Sequence, residues 1–136
     1  MSGAEAFFDT NVILYLFSAE PTKANRAEEL LAHGGQTSVQ VLNELANVAR
    51  RKLGFSWPDV IEITTQVRAL CSIAPLTVET HSTGLRTAER YGLSVYDGMI
   101  VAAALLSGCN VLYTEDMQDG QLVDGQLTLR NPFGAR

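Results

Sequence analysis

Apolar positions along the chain fall into short runs and helical stripes that take turns from one end to the other. Ala4 to Phe8, a short run with two aromatic residues, predicts a strand that ends at Asp9 and leads into an apolar helix, Val12 to Phe17. Pro21 and Thr22 open a second helix with Ala24, Ala27, Leu30 and Leu31 on one stripe, and Gly34-Gly35 stops it. Gln36 to Ser38 reads as a very short strand, with Ser38 capping a helix from about Val39 to Leu53 that Gly54 ends. Pro58 starts another helix, running to about Ser72. Ile73 to Thr77 predicts a strand that Pro75 assigns to a sheet edge. Val78 to Tyr91 reads as helix closed by Gly92, and Ser94-Val95-Tyr96-Asp97 has the form of a capping box ahead of Gly98 to Ser107. Asn110 to Thr114 reads as a buried strand, and Leu127 to Leu129 as a last edge strand before Asn131-Pro132. Strands alternating with helices predict a central parallel sheet covered on both faces, a three-layer α/β/α sandwich.

Composition narrows the class. A chain of 136 residues, 46% hydrophobic and 18% charged, fits one globular domain with one core. Its longest apolar run, Met99 to Leu106, falls far short of the roughly 20 residues a membrane span needs. The opening Met-Ser-Gly-Ala-Glu has no export pattern. Cys71 and Cys109 read as reduced, buried thiols of a cytoplasmic protein. The formal charge of −5 argues weakly against nucleic acid. Yet eight of the ten Lys and Arg residues fall between Lys23 and Arg90, while Glu115, Asp116, Asp119 and Asp124 crowd the end. Such a division suits a chain that grips phosphate with one region and cations with another, and equally an ordinary solvated acidic surface.

The position of four acids matters more than the charge total. Asp9 is the only charged residue between Glu5 and Glu20, and Asp97 the only one between Arg90 and Glu115. An ionised carboxylate in apolar surroundings is costly unless paired, hydrogen-bonded or metal-bound. Asp9 follows the first strand and Asp116 the Val111–Thr114 strand, so the two meet at one sheet edge if those strands are neighbours. Read singly, each serves as well as an Asx turn or helix cap, and Asp97 as a first-turn acid suited to the helix dipole. Glu44 lies at the border of its helix's apolar arc with no cation three or four residues away. Together, converging carboxylates repel one another, and protonation or a central cation relieves the repulsion. An all-oxygen set points to Mg²⁺ or Mn²⁺. His33 and His81 lack metal-type spacing and read as surface or cap residues.

Four segments then carry a resemblance: Phe8-Asp9-Thr10-Asn11-Val12, Val41-Leu42-Asn43-Glu44-Leu45, Tyr96-Asp97-Gly98 continuing to Ala104, and Leu112-Tyr113-Thr114-Glu115-Asp116. In order and spacing, from Phe7 to the Asn131-Pro132-Phe133 tail, the chain resembles the PIN-domain family, in particular the VapC-type toxins of bacterial toxin–antitoxin pairs. The resemblance implies divalent-metal-dependent endoribonuclease activity, with Asp9, Glu44, Asp97 and Asp116 as the catalytic and metal-holding cluster. It places Asn11 and Thr114 in support, gives Asp119 a place as an outer acid, and implies an RNA substrate, a homodimer and an antitoxin that fills the groove beside the site. Arg50, Arg51 and Lys52 are candidates for holding the RNA backbone, or form a solvated helix end that complements the dipole. A haloacid-dehalogenase-type phosphatase needs a second Asp where Asn11 stands, and a response-regulator-like switch needs a paired Lys near a late strand; neither fits. A catalytically inactive PIN fold that binds RNA or protein is the remaining alternative, and the retention of all four acids speaks against it.

Overall fold

The computed structural model describes residues 6–134, so Ala4 and Glu5 of the first expected strand lie outside the described residues. Strand β1, Ala6–Phe8, runs into α1, Thr10–Leu14, which tightens into a 3₁₀ turn over Tyr15–Phe17. There follow α2 (Pro21–Ala32), β2 (Gln36–Ser38), α3 (Val39–Arg51), α4 (Trp57–Leu70), β3 (Ser72–Ala74), α5 (Val78–Tyr91) and α6 (Val95–Leu106). The chain closes with β4 (Val111–Tyr113), β5 (Leu122–Val123) and β6 (Leu127–Arg130).

The helices start where short polar side chains take up free N–H groups. Ser38 accepts from Val41 N, Ser56 from Asp59 N and Ser94 from Asp97 N, and Thr77 and Thr80 form a reciprocal box at the start of α5. Gly92 closes α5 in the left-handed conformation at φ +68°. Helix α6 is apolar nearly all round and is correspondingly interior, with every residue from Gly98 to Ala104 buried. Its approach to α5 depends on two glycines: a Cβ at Gly98 would run into the carbonyl oxygen of Gly84, and one at Gly84 would lie 2.7 Å from the Met99 sulfur.

The strands form a sheet in the order β3-β2-β1-β4-β6-β5, flanked by helices in a three-layer α/β arrangement. Pairings are parallel from β3 through β6. The expected parallel sheet holds except at its end, where β5 runs antiparallel to β6. β6 is therefore interior, not the edge strand expected from Leu127 to Leu129. The extra strand is returned by a three-residue connection, Asp124-Gly125-Gln126, whose first two residues turn at φ of +51° and +67° and whose Gln126 N–H donates to the Val123 carbonyl. β3 is an edge as expected, but it ends at Ala74, leaving Pro75 outside the ladder where its missing N–H costs nothing.

The order reverses between β1 and β4, which pair directly with Phe8 opposite Tyr113. Connections leave these two strands toward opposite sides, so a crevice opens beyond their carboxyl ends. Beneath it, Phe7, Phe8, Ile13, Leu45, Ile100 and Leu112 are fully buried. Cys71 and Cys109 are free and buried, and burial pushes the Cys71 thiol up to about 11. Among the described residues no helix is long and apolar enough to cross a membrane.

Candidate active site

Asp9 follows β1 directly and caps α1 at the carboxyl end of the strand, where it is only 3% exposed. Its Oδ1 accepts from Thr10 N–H at 2.6 Å and its Oδ2 from the Thr114 hydroxyl at 2.7 Å. Thr114 follows β4 and its hydroxyl also accepts from Asp116 N–H at 3.3 Å, so one side chain spans the two strand ends. Asn11, on the first turn of α1, donates to Asp116 Oδ2 at 2.9 Å and accepts from Glu115 N–H at 3.1 Å.

Glu44 arrives from α3, half-buried. Among the described residues it has no ion-pair partner, yet both of its oxygens are held: Thr10 Oγ1 donates to Oε1 at 2.9 Å and Gln40 Nε2 to Oε2 at 3.0 Å. Thr10 therefore ties Asp9 and Glu44 together through its main chain and its side chain. Thr10 and Gln40 are participants that the sequence pattern did not single out, since Gln40 is a polar residue that suits an exposed helix face. The structure buries it instead. The available signal was its place four residues before Glu44, the spacing at which helical side chains meet.

Asp97 stands in the first turn of α6, capped by Ser94, and is half-buried. Electrostatics link the four acids. Burial pushes the Asp9 carboxyl up to about 7, the charges of Asp97 and Glu44 add to the rise, and the hydrogen bonds from Thr114 and Thr10 oppose it. Burial likewise raises Asp97, with Glu44 and Asp116 adding and the Ser94 hydrogen bond opposing. Asp9, Glu44, Asp97 and Asp116 thus face a common space. Among the described residues, however, no three acidic, His or Cys side chains lie close enough together to hold a metal ion as they stand. Carboxylates that repel one another stand apart, and here threonine, asparagine and glutamine hold Asp9, Glu44 and Asp116 in place. The donor set is all oxygen and suits a hard divalent cation.

The outer candidates divide. Asp119 Oδ1 accepts from Asn131 N–H at 2.8 Å and so braces the turn after β6. Arg50 donates to the Phe55 carbonyl at 3.0 Å and lies 4.6 Å over the Trp57 ring, an assignment to the α3–α4 turn. Arg51 and Lys52 are exposed at the end of α3. His33 caps the end of α2 and His81 is exposed on α5, as expected.

Carboxylates gathered at the switch point of a parallel three-layer sheet are the frame of one class of protein. The PIN domain family matches the chain over residues 6–118, and the chain belongs to that family. Its fold is shared with toxins of the VapC type. A toxin–antitoxin complex from Klebsiella pneumoniae superimposes with a TM-score of 0.72 at 20% identity, covering 96% of this chain and 99% of that one. The Mycobacterium tuberculosis toxin VapC20, which cleaves the sarcin–ricin loop, gives a TM-score of 0.67 at 20% identity, covering 82% and 89%. VapBC2 from Rickettsia felis, bound to a DNA fragment from its promoter, gives 0.66 at 19% identity, covering 93% and 97%. At such identities the likeness speaks for the fold. Comparison with the curated proteins finds no match.

Proposed function

We propose that this protein is a Mg²⁺- or Mn²⁺-dependent endoribonuclease and the toxin of a toxin–antitoxin pair. The support for this reading is the hydrogen-bond network that ties Asp9 to Glu44 through Thr10 and to Asp116 through Thr114, together with a buried Asp9 pushed up to about 7 and raised further by the charges of Asp97 and Glu44. Family membership supports it, as do structural neighbours that are toxins in complex with antitoxins and, in one case, an RNA-cleaving toxin. Asp9 and Asp97 are the direct holders of the cation, with Glu44 and Asp116 completing the set. When bound, the cation supplies activation of a water toward phosphorus and neutralisation of charge on the phosphate. The chain's own contribution is orientation. Thr10 and Thr114 fix both oxygens of Asp9, Gln40 and Thr10 fix Glu44, and Asn11 fixes Asp116. No side chain is assigned as a dedicated base.

The substrate backbone passes along the exposed end of α3, where Arg51 and Lys52 contact phosphates; Arg50 stiffens the turn beside them. Asp119 acts at one remove, through the loop that carries Asp116. A cytoplasmic homodimer silenced by an antitoxin completes the reading.

Purified protein incubated with RNA tests it. Cleavage in Mg²⁺ that EDTA stops and Asp9→Asn abolishes is the expected result. An Mg²⁺-bound wild type that leaves RNA intact contradicts it and leaves a binding module. Equal cleavage by wild type and Asp9→Asn preparations assigns the activity to a contaminant.

A further inference from the structure

Beside the carboxylates lies a closed triangle of polar side chains that the four-acid site does not use. The Lys23 ammonium, from α2, donates to Glu115 Oε2 at 2.7 Å and to the Tyr15 hydroxyl at 3.0 Å. The Tyr15 hydroxyl in turn donates to Glu115 Oε1 at 2.7 Å. Each Glu115 oxygen thus has its own donor, and the donors bind each other. Aromatic rings back the ammonium: it lies 4.7 Å from the Tyr15 ring centroid and 5.6 Å from that of Phe133, and the two rings meet edge to face at 4.8 Å. All three vertices are partly buried. Burial alone would raise the Glu115 carboxyl, but the hydrogen bonds from Lys23 and Tyr15 outweigh it and hold the group below its usual range.

What the triangle grips is the peptide that leads into Asp116. Glu115 N–H donates to Asn11 Oδ1, and the amide of that same Asn11 donates to Asp116 Oδ2. Asp116 is exposed, so its carboxylate is held by Asn11 and by the placement of its own main chain. A fixed Glu115 fixes both. The chain of contacts runs unbroken from Lys23 through Glu115, Asn11, Asp116 and Thr114 to Asp9.

We infer that Lys23, acting with Tyr15 through Glu115, is a positioning residue that sets the Asp116 carboxylate and its Asn11 partner for cation binding. The inference rests on the nuclease reading above and concerns residues that touch neither the cation nor RNA. An ion pair this close to the surface contributes little to global stability. Its effect is therefore legible in affinity and not in melting.

The test measures Mn²⁺ binding by the intensity of free-ion paramagnetic resonance, the melting temperature in EDTA, and kcat and KM for RNA cleavage. It compares the wild type with Lys23→Met, Lys23→Arg, Tyr15→Phe and Glu115→Gln. Mispositioned metal carboxylates typically lower affinity by about 10-fold or more. Lys23→Met and Glu115→Gln are expected to weaken Mn²⁺ by that factor and to lower kcat with KM for RNA unchanged. Tyr15→Phe, the mildest change, is expected to move in the same direction by a smaller step. Lys23→Arg, which keeps the charge and a donor, is expected to recover most of the loss. Melting temperatures are expected to stay within a few degrees of the wild type. Wild-type Mn²⁺ affinity in both Lys23→Met and Glu115→Gln overturns the inference while leaving the nuclease reading intact. So does a raised KM with unchanged Mn²⁺ binding, which makes Lys23 an RNA contact, and so does an affinity loss matched by collapse of the fold in all variants. A wild type that neither binds Mn²⁺ nor cleaves RNA overturns the nuclease reading and the inference with it.

Discussion

Among the described carboxylates, Asp9 is the one that burial shifts furthest. Its carboxyl sits at about 7 in the folded chain against an ordinary 3.8, because burial penalises the charged form. In cation-free protein its favourable contribution is fully present below about pH 4 and is lost as pH rises through about 7. The stability at stake is no more than about 4 kcal/mol, since one unit corresponds to about 1.4 kcal/mol. Asp97 shifts in the same direction. Asp9→Asn removes the titration and gives up one of two accepting oxygens, a loss of about 1 kcal/mol. In EDTA at pH 8 the variant is expected to melt a few degrees above the wild type, and the gap is expected to shrink or reverse by pH 4. A pH-independent difference would contradict the shift. Asp9 itself was legible in the sequence as a lone charge in an apolar run. The hydrogen bonds that support the site were only partly so: Asn11 and Thr114 came with the resemblance, whereas Thr10 and Gln40 look like ordinary helix residues until the fold turns them toward Glu44.

Among the elements, α6 does the most to bring a remote acid into the cluster. It carries Asp97 in its first turn and enters the core directly after it, packed on α5 through Gly84 and Gly98. Gly98→Ala would place a methyl group against the Gly84 carbonyl oxygen, and backbone cannot swing aside as a side-chain tip can. Overpacking of this kind costs about 1–3 kcal/mol. Gly98→Ala is expected to melt several degrees lower and to lose more activity than that melting implies, since Asp97 moves with the helix. Activity equal to the wild type in a folded variant would detach Asp97 from the site. Elements with strong punctuation were read closely: Ser38, Ser94 and Gly92 all end or start helices as the residue types dictate. The two-residue strand β5 escaped, although Asp124-Gly125 is a standard hairpin signal, because Leu122-Val123 is too short to show any alternation.

Across the whole molecule, charge and topology answer different questions. A formal charge of −5 gives no general attraction to RNA, so the proposed RNA binding would rest on local cations such as Arg51 and Lys52 and on the proposed cation site. The double variant Arg51→Ala/Lys52→Ala is expected to raise KM for RNA several-fold with kcat nearly unchanged. Its cleavage is expected to lose some of the wild type's salt sensitivity. An unchanged KM would move the RNA path off α3. Topology, in contrast, accounts for the meeting of the acids: β1 and β4 are neighbours, and the order reverses between them, so residues 107 positions apart in sequence, Asp9 and Asp116, serve one crevice. Alternation of strands and helices in the sequence foretold the layers. It did not foretell the strand order, which rests on contacts between segments far apart in the chain.

A shared cation is the one proposition from which the nuclease reading follows, and equilibrium titration with Mn²⁺ tests it without RNA. Saturable binding by the wild type, weakened in each of Asp9→Asn, Glu44→Gln, Asp97→Asn and Asp116→Asn, is the expected result. Wild-type binding curves in two or more of these variants would mean that the four side chains do not serve one ion.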